Sequence, residues 1–139
     1  KLYPHVYLVT TGDSRVAQVG RKYEYTRWIN LVDTGLTFRQ AYLLTSIYDC
    51  FVSSDTGVMV FAQGYEKTPK ILLNTIIYNH YCFPETVVLQ SDAPCSPCYN
   101  TINDCPNKDE DNPWTACMGG IAPEFVIAEI EKVILQRSN

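Results

Sequence analysis

The run Thr86-Val87-Val88-Leu89-Gln90 is apolar and β-branched, and Ser91-Asp92-Ala93 then leads into Pro94-Cys95-Ser96-Pro97-Cys98. A strand that runs into a C-x-x-C pair constrains the fold more than any other segment of this chain. Two cysteines so spaced, where a strand meets a helix, have three common uses: zinc ligation, thiol redox chemistry or structural disulfides. A second helix is expected to begin near Pro97 and to run through Tyr99, Ile102 and Asn103.

The size and charge of the chain narrow the context. Its 139 residues are the usual size of one domain, and 46% hydrophobic against 19% charged residues can bury a core. Six cysteines in so short a chain, an even number, favour an oxidising compartment, so the expectation is a secreted protein. The chain opens at Lys1 with no methionine, which reads as a processed mature protein or an excised domain. No apolar run approaches the ~18 residues needed to span a bilayer. Residues 1–40 hold six basic and three acidic side chains (+3), and the remainder holds five and twelve (−7). A chain of net charge −4 is a poor default binder of nucleic acid, since phosphate contacts need clustered Lys and Arg. The partner is therefore expected to be a protein or a small molecule.

Periodicity and turn residues suggest the order of elements. His5 to Thr10 reads as a strand, Gly12-Asp13-Ser14 as a turn, and Tyr23 to Val32 as a short helix ended by Asp33-Thr34-Gly35. Ala41 to Val52 reads as a strand, Ser53 to Gly57 as a turn, and Val58 to Phe61 as the second strand of a hairpin. Thr68-Pro69 has the form of a helix start, with Leu72, Leu73, Ile76, Ile77 and His80 on one face and Phe83-Pro84 as its end. Thr86 to Gln90 is then a central strand. Residues 104–120 read as an irregular loop, and Pro123 opens a last amphipathic helix whose apolar positions are Phe125, Ile127, Ile130, Val133 and Ile134. Glu129 and Lys132 add an i,i+3 pair to it. Strand, helix and following strand imply a right-handed crossover, partly parallel pairing and an α/β fold.

On these residues the chain resembles the superfamily of zinc-dependent cytidine and adenosine deaminases, in particular its secreted or toxin-type branch. That family carries H-x-E at the start of its first core helix and P-C-x-x-C at the start of the second. Pro94-Cys95-Ser96-Pro97-Cys98 matches the second motif. Glu66-Lys67-Thr68-Pro69-Lys70 followed by Ile71-Leu72-Leu73 matches the Pro-Lys and apolar run that follow the first, 27 residues separating Thr68 from Cys95. The resemblance implies a mixed sheet with helices, a core over about residues 41–104, an N-terminal extension 1–40, and a disulfide-held loop with a C-terminal helix over 105–139. With only half of the signature intact the expectation is no cofactor, zinc being the alternative with Cys95, Cys98 and Glu66 as the candidate ligands. The departure falls on the chemistry: Glu66 stands in place of the histidine, and Thr68 in place of the catalytic glutamate. A hydroxyl stores no proton near neutrality, so the resemblance implies a deaminase-like fold without deaminase catalysis, a pseudoenzyme serving binding or defence. Gly64-Tyr65-Glu66 in place of H-x-E keeps a glutamate but loses the ligand at Gly64. An active deaminase with a non-standard site is the alternative that retains zinc.

Two other readings compete. Thioredoxin-like proteins also place C-x-P-C after a central strand, where the helix dipole lowers the first thiol's pKa. Gly120-Ile121-Ala122-Pro123 loosely resembles their cis-proline segment, but only 24 residues separate Cys98 from Ala122, too few for the strand and helix that fold needs between them. The structural reading pairs all six cysteines, Cys50, Cys82, Cys95, Cys98, Cys105 and Cys117, as disulfides, with Cys50–Cys82 and Cys105–Cys117 as candidate bridges. His80 reads as a core or boundary histidine and His5 as a strand residue. Asp104, Asp109, Glu110 and Asp111 lack the order of a calcium loop and read as a solvated acidic loop. Trp28 and Trp114 are candidate anchors of a core or a ligand surface.

Overall fold

The computed structural model describes residues 5–12, 27–65, 67–75, 84–97 and 116–137. The described residues form an α/β structure of two small parallel sheets and four helices. The chain divides into two compact units, Lys1–Leu43 and Leu44–Asn139.

In the first unit, β1 (Leu8–Thr10) pairs in parallel with β2 (Trp28–Asn30), Leu8 opposite Trp28. Within the helix expected over Tyr23 to Val32, Trp28–Asn30 thus form a strand. The side chains explain why. The indole Nε1 of Trp28 donates to Thr10 Oγ1 (2.9 Å), and that hydroxyl donates to Asn30 Oδ1 (3.1 Å), so β2 is held through cross-strand partners. Asp33 (φ 58°) and Gly35 (φ 77°) turn the chain afterwards in the left-handed region, as the breaker residues predict.

Helix α1 (Phe38–Thr45) occupies much of the segment expected as a strand. Thr37 and Gln40 form a capping box. Gln40 N donates to Thr37 Oγ1 (3.3 Å), and Thr37 N donates to Gln40 Oε1 (2.9 Å). This satisfies two backbone donors at the first turn, and the apolar residues behind it follow the helix.

The second unit is built on a three-stranded parallel sheet in the order β3-β4-β5: Phe51–Ser54, Lys70–Asn74 and Thr86–Gln90. The parallel pairing expected from the crossover is present in both ladders. Three local readings are corrected. Val58 to Phe61 is not a hairpin strand but lies within helix α2 (Gly57–Ala62), which connects β3 to β4 and whose N-cap Thr56 accepts from Met59 N. The helix expected to open at Pro69 is strand β4. And β4, not β5, is central among the described strands, with β5 at the edge. Residues 76–83 and 98–115, which include the rest of the expected first core helix and the helix expected after Pro97, lie outside the described residues.

β4 is deceptive because it is buried on both faces. Ile71 and Leu72, neighbours that point to opposite sides, are both fully buried. Such a strand reads as a continuous apolar run, and periodicity cannot tell it from a buried helix. On one face Leu72 packs with Phe51, Met59 and Ala62, with Tyr48, Val58 and Val88 around them. The ring of Tyr48 stacks on Phe51, centroids 6.3 Å apart.

Within residues 104–120, expected as an irregular loop, Ala116–Gly119 form the short helix α3. Pro123 opens α4 (Pro123–Arg137) as expected, supplying at the first helical position a residue whose missing N–H costs nothing there. Val133 is buried against the unit, while Phe125 and Ile127, expected as inward positions, are exposed. The Glu129–Lys132 ion pair forms. No helix among the described residues is long and apolar enough to cross a membrane.

Tyr48 yields the first prediction. Its hydroxyl is buried and has no hydrogen-bond partner among the described residues. Tyr48→Phe removes that orphaned group while keeping the ring, so it is expected to stabilise the protein by about 1 kcal/mol in urea unfolding at neutral pH. Burial also pushes the Tyr48 phenol above its ordinary pKa. The folded state therefore keeps this proton to higher pH than the unfolded chain does. That contribution is intact below the ordinary phenol range and is lost as pH rises through the folded-state value. The variant is expected to lack this part of the alkaline loss, which a difference between the two pH–stability curves measures.

Candidate functional site

The register of the parallel sheet assembles a polar cluster at the carboxyl ends of β4 and β5. Asn74 stands opposite Gln90, on the same face as the Leu72/Val88 pair of the apolar core. Asn74 is fully buried, and its Nδ2 donates to Gln90 Oε1 (2.7 Å). Gln90 Nε2 donates to Ser96 Oγ (2.7 Å), and Ser96 Oγ donates to the Thr75 carbonyl (3.2 Å). Pairing the two amides satisfies groups whose burial would otherwise cost about 1–3 kcal/mol each. The chain reaches Ser96 through two local contacts. Ser91 Oγ accepts from Ala93 N (3.2 Å), and Ser96 N donates to the Ala93 carbonyl (2.8 Å). That turn carries Cys95, half-buried, past the end of the sheet.

At the amino end of β4 a second cluster fills the place where the deaminase resemblance puts its proton carrier. Thr68 is only 3% exposed, and its carbonyl accepts from Lys70 Nζ (2.7 Å). The same ammonium donates to the Tyr65 carbonyl. Lys70 is itself 1% exposed. The resemblance lends Lys70 no more than a motif match, whereas in the fold it ties the α2–β4 loop to the sheet.

Beside the first cluster lies a shallow cleft of about 180 Å³ between β5 and the start of α4, lined by Val88, Leu89, Gln90, Asp92, Gly120, Ile121 and Phe125. Helix α4 lies against β5 here. Gly120 allows the approach: a Cβ on it would stand 2.8 Å from Ser91 Oγ and 3.0 Å from Asp92 Oδ1.

Of the candidate zinc ligands only Cys95 is described; Glu66 and Cys98 lie outside the described residues, as do Cys82, Cys105, His80, Trp114, Asp104, Asp109, Glu110 and Asp111. Cys50 is half-buried just before β3, and Cys117 is buried in α3. No disulfide joins Cys50, Cys95 and Cys117 to one another. Each of the two candidate bridges has one member outside the described residues. Among those residues no three of His, Cys, Asp and Glu come together as a metal site. Thr68, which the resemblance sets in the place of the catalytic glutamate, lies buried beside the Lys70 ammonium. Trp28 is half-buried and bonds across β1 and β2 to Thr10.

Asn74, Gln90, Ser96 and Gly120 were not legible as a group. The only local signal is that Asn74-Thr75 and Gln90-Ser91 each close an apolar run with an amide and a hydroxyl. Chemically the cluster offers amide and hydroxyl donors and acceptors. Its members do not ionise near neutrality, so it can orient a ligand or brace a turn but supplies no acid–base pair. No protein-family model, no curated protein and no solved structure matches this chain.

Proposed function

We propose that this chain is a secreted binding component that performs neither deamination nor thiol–disulfide exchange. The observation that supports this best is the carboxyl end of the parallel sheet. Open α/β sheets bind their ligands at that end, and here it carries the neutral Asn74–Gln90–Ser96 chain of hydrogen bonds beside a small cleft. Secretion rests on six cysteines in 139 residues. A deaminase ancestry agrees with the placement of Pro94–Pro97 after a strand of a parallel sheet. Strand β4 stands where that ancestry requires a helix, so the binding role is proposed independently of it.

The test is zinc analysis of the native protein combined with turnover assays on cytidine and on single-stranded DNA, and a redox titration of the cysteines. The expected result is no deaminated product and no reversible dithiol couple. Stoichiometric zinc with turnover would overturn the proposal in favour of a deaminase with a non-standard site. A reversible couple that disappears in Cys95→Ser would overturn it in favour of an oxidoreductase.

A further inference from the structure

We propose that the cleft between β5 and α4 receives the side chain of a lysine or arginine presented by a protein partner. This deepens the binding role proposed above and rests on it. The walls contributed by Val88, Leu89, Ile121 and Phe125 are apolar, and Asp92 is the one ionisable residue in the lining among the described residues. Its carboxylate is exposed, and no ion pair holds it among the described residues. Asp92 Oδ1 lies beside the α3–α4 corner, 3.0 Å from where a Cβ on Gly120 would stand, which puts the charge at the cleft.

Each alternative ligand class meets a specific penalty. An anion would face Asp92 and the −7 charge of residues 41–139. A neutral apolar group would fill the walls but strip water from a carboxylate without pairing it. A cation on an aliphatic stem satisfies both parts: the stem lies along apolar walls while the charged head reaches Asp92. Phe125, 63% exposed and part of the lining, adds an aromatic ring, a group that attracts cations. A volume of about 180 Å³ falls below the roughly 300 Å³ at which pockets take drug-sized ligands, and it suits one side chain. Val87 lies two residues before Leu89, on the same face of β5, and is 38% exposed. Val87 is not itself part of the lining but is exposed apolar surface on that face, available to a partner's backbone and beyond the reach of a free small amine.

The experiment is an amide-resolved NMR titration of the full chain with capped Gly-Lys-Gly and Gly-Arg-Gly peptides, with the norleucine peptide and n-butylammonium as comparison arms. The lysine and arginine peptides are expected to shift amides at the end of β5 and around 119–126. The norleucine peptide is expected to shift none at equal concentration, and n-butylammonium to bind more weakly than the peptides. Asp92→Asn is expected to weaken the lysine peptide about fivefold. Phe125→Leu, which keeps apolar cover but removes the ring, is expected to weaken it about threefold. Equal binding of norleucine, indifference to both substitutions, or shifts confined to other surfaces would overturn the assignment. Equal binding of n-butylammonium would overturn the protein partner as the source of the cation. None of these outcomes touches the turnover and redox assays, so the cleft's ligand and the non-catalytic role fail separately.

Discussion

Lys70→Met is expected to destabilise the protein by about 2–4 kcal/mol, read as a lowered urea midpoint in far-ultraviolet circular dichroism. Methionine fills nearly the same volume as the lysine stem, so little of the loss is packing. What disappears is the ammonium that bonds the Tyr65 and Thr68 carbonyls. Thr68 is buried, and the Lys70 head is buried with it, so water cannot replace the lost donor. The loop that these carbonyls belong to connects α2 to β4, and β4 is the strand both ladders share. An unchanged midpoint would mean that Lys70 is a buried passenger, and the account of the α2–β4 loop would fall with it.

The second large effect is expected at the α3–α4 corner, where only one of two adjacent glycines is predicted to resist a side chain. Gly120→Ala places a Cβ 2.8 Å from Ser91 Oγ and 3.0 Å from Asp92 Oδ1. Ser91 is buried and its hydroxyl already accepts from Ala93 N, so yielding breaks the turn after β5. The expected loss is about 1–3 kcal/mol. Gly119→Ala meets nothing within 4 Å and sits in α3, so it is expected to be neutral or to stabilise by up to about 1 kcal/mol. Urea unfolding of the two variants checks the contrast. Equal effects would show that backbone entropy, not close approach, governs the corner.

The missed helices carried local signals that apolar content masked. Thr37-Phe38-Arg39-Gln40 is a capping-box sequence, and Thr56 is a good N-cap residue. Both precede segments rich in Tyr, Leu and Val, whose strand propensity dominates a reading by composition. β2 and β4 are different. Nothing local marks Trp28–Asn30 as a strand, because its hydrogen bonds go to Thr10 and the β1 backbone. The apolar run of β4 fits a helix equally well until its neighbours are known. The candidate site was half visible: Cys95 was placed after a strand, as found, but the Asn74–Gln90 pair exists only in the sheet register.

Taken alone, the chain specified what depends on neighbours in sequence: the strand at Thr86–Gln90, the turn after Val32, the helix opened by Pro123 with its Glu129–Lys132 pair, and the α/β class. Turn chemistry, proline geometry and i,i+3 spacing act over a few residues, and no tertiary contact is needed to read them. The tertiary structure decided which apolar run became the central strand, why a lysine is buried, and which polar side chains meet at the carboxyl end of the sheet. The central strand and the Asn74–Gln90 pair depend on residues 16 or more positions apart, brought together by burying both faces of β4. Long-range burial outweighs local preference here because it removes whole side chains from water, while propensity differs by under about 1 kcal/mol per residue.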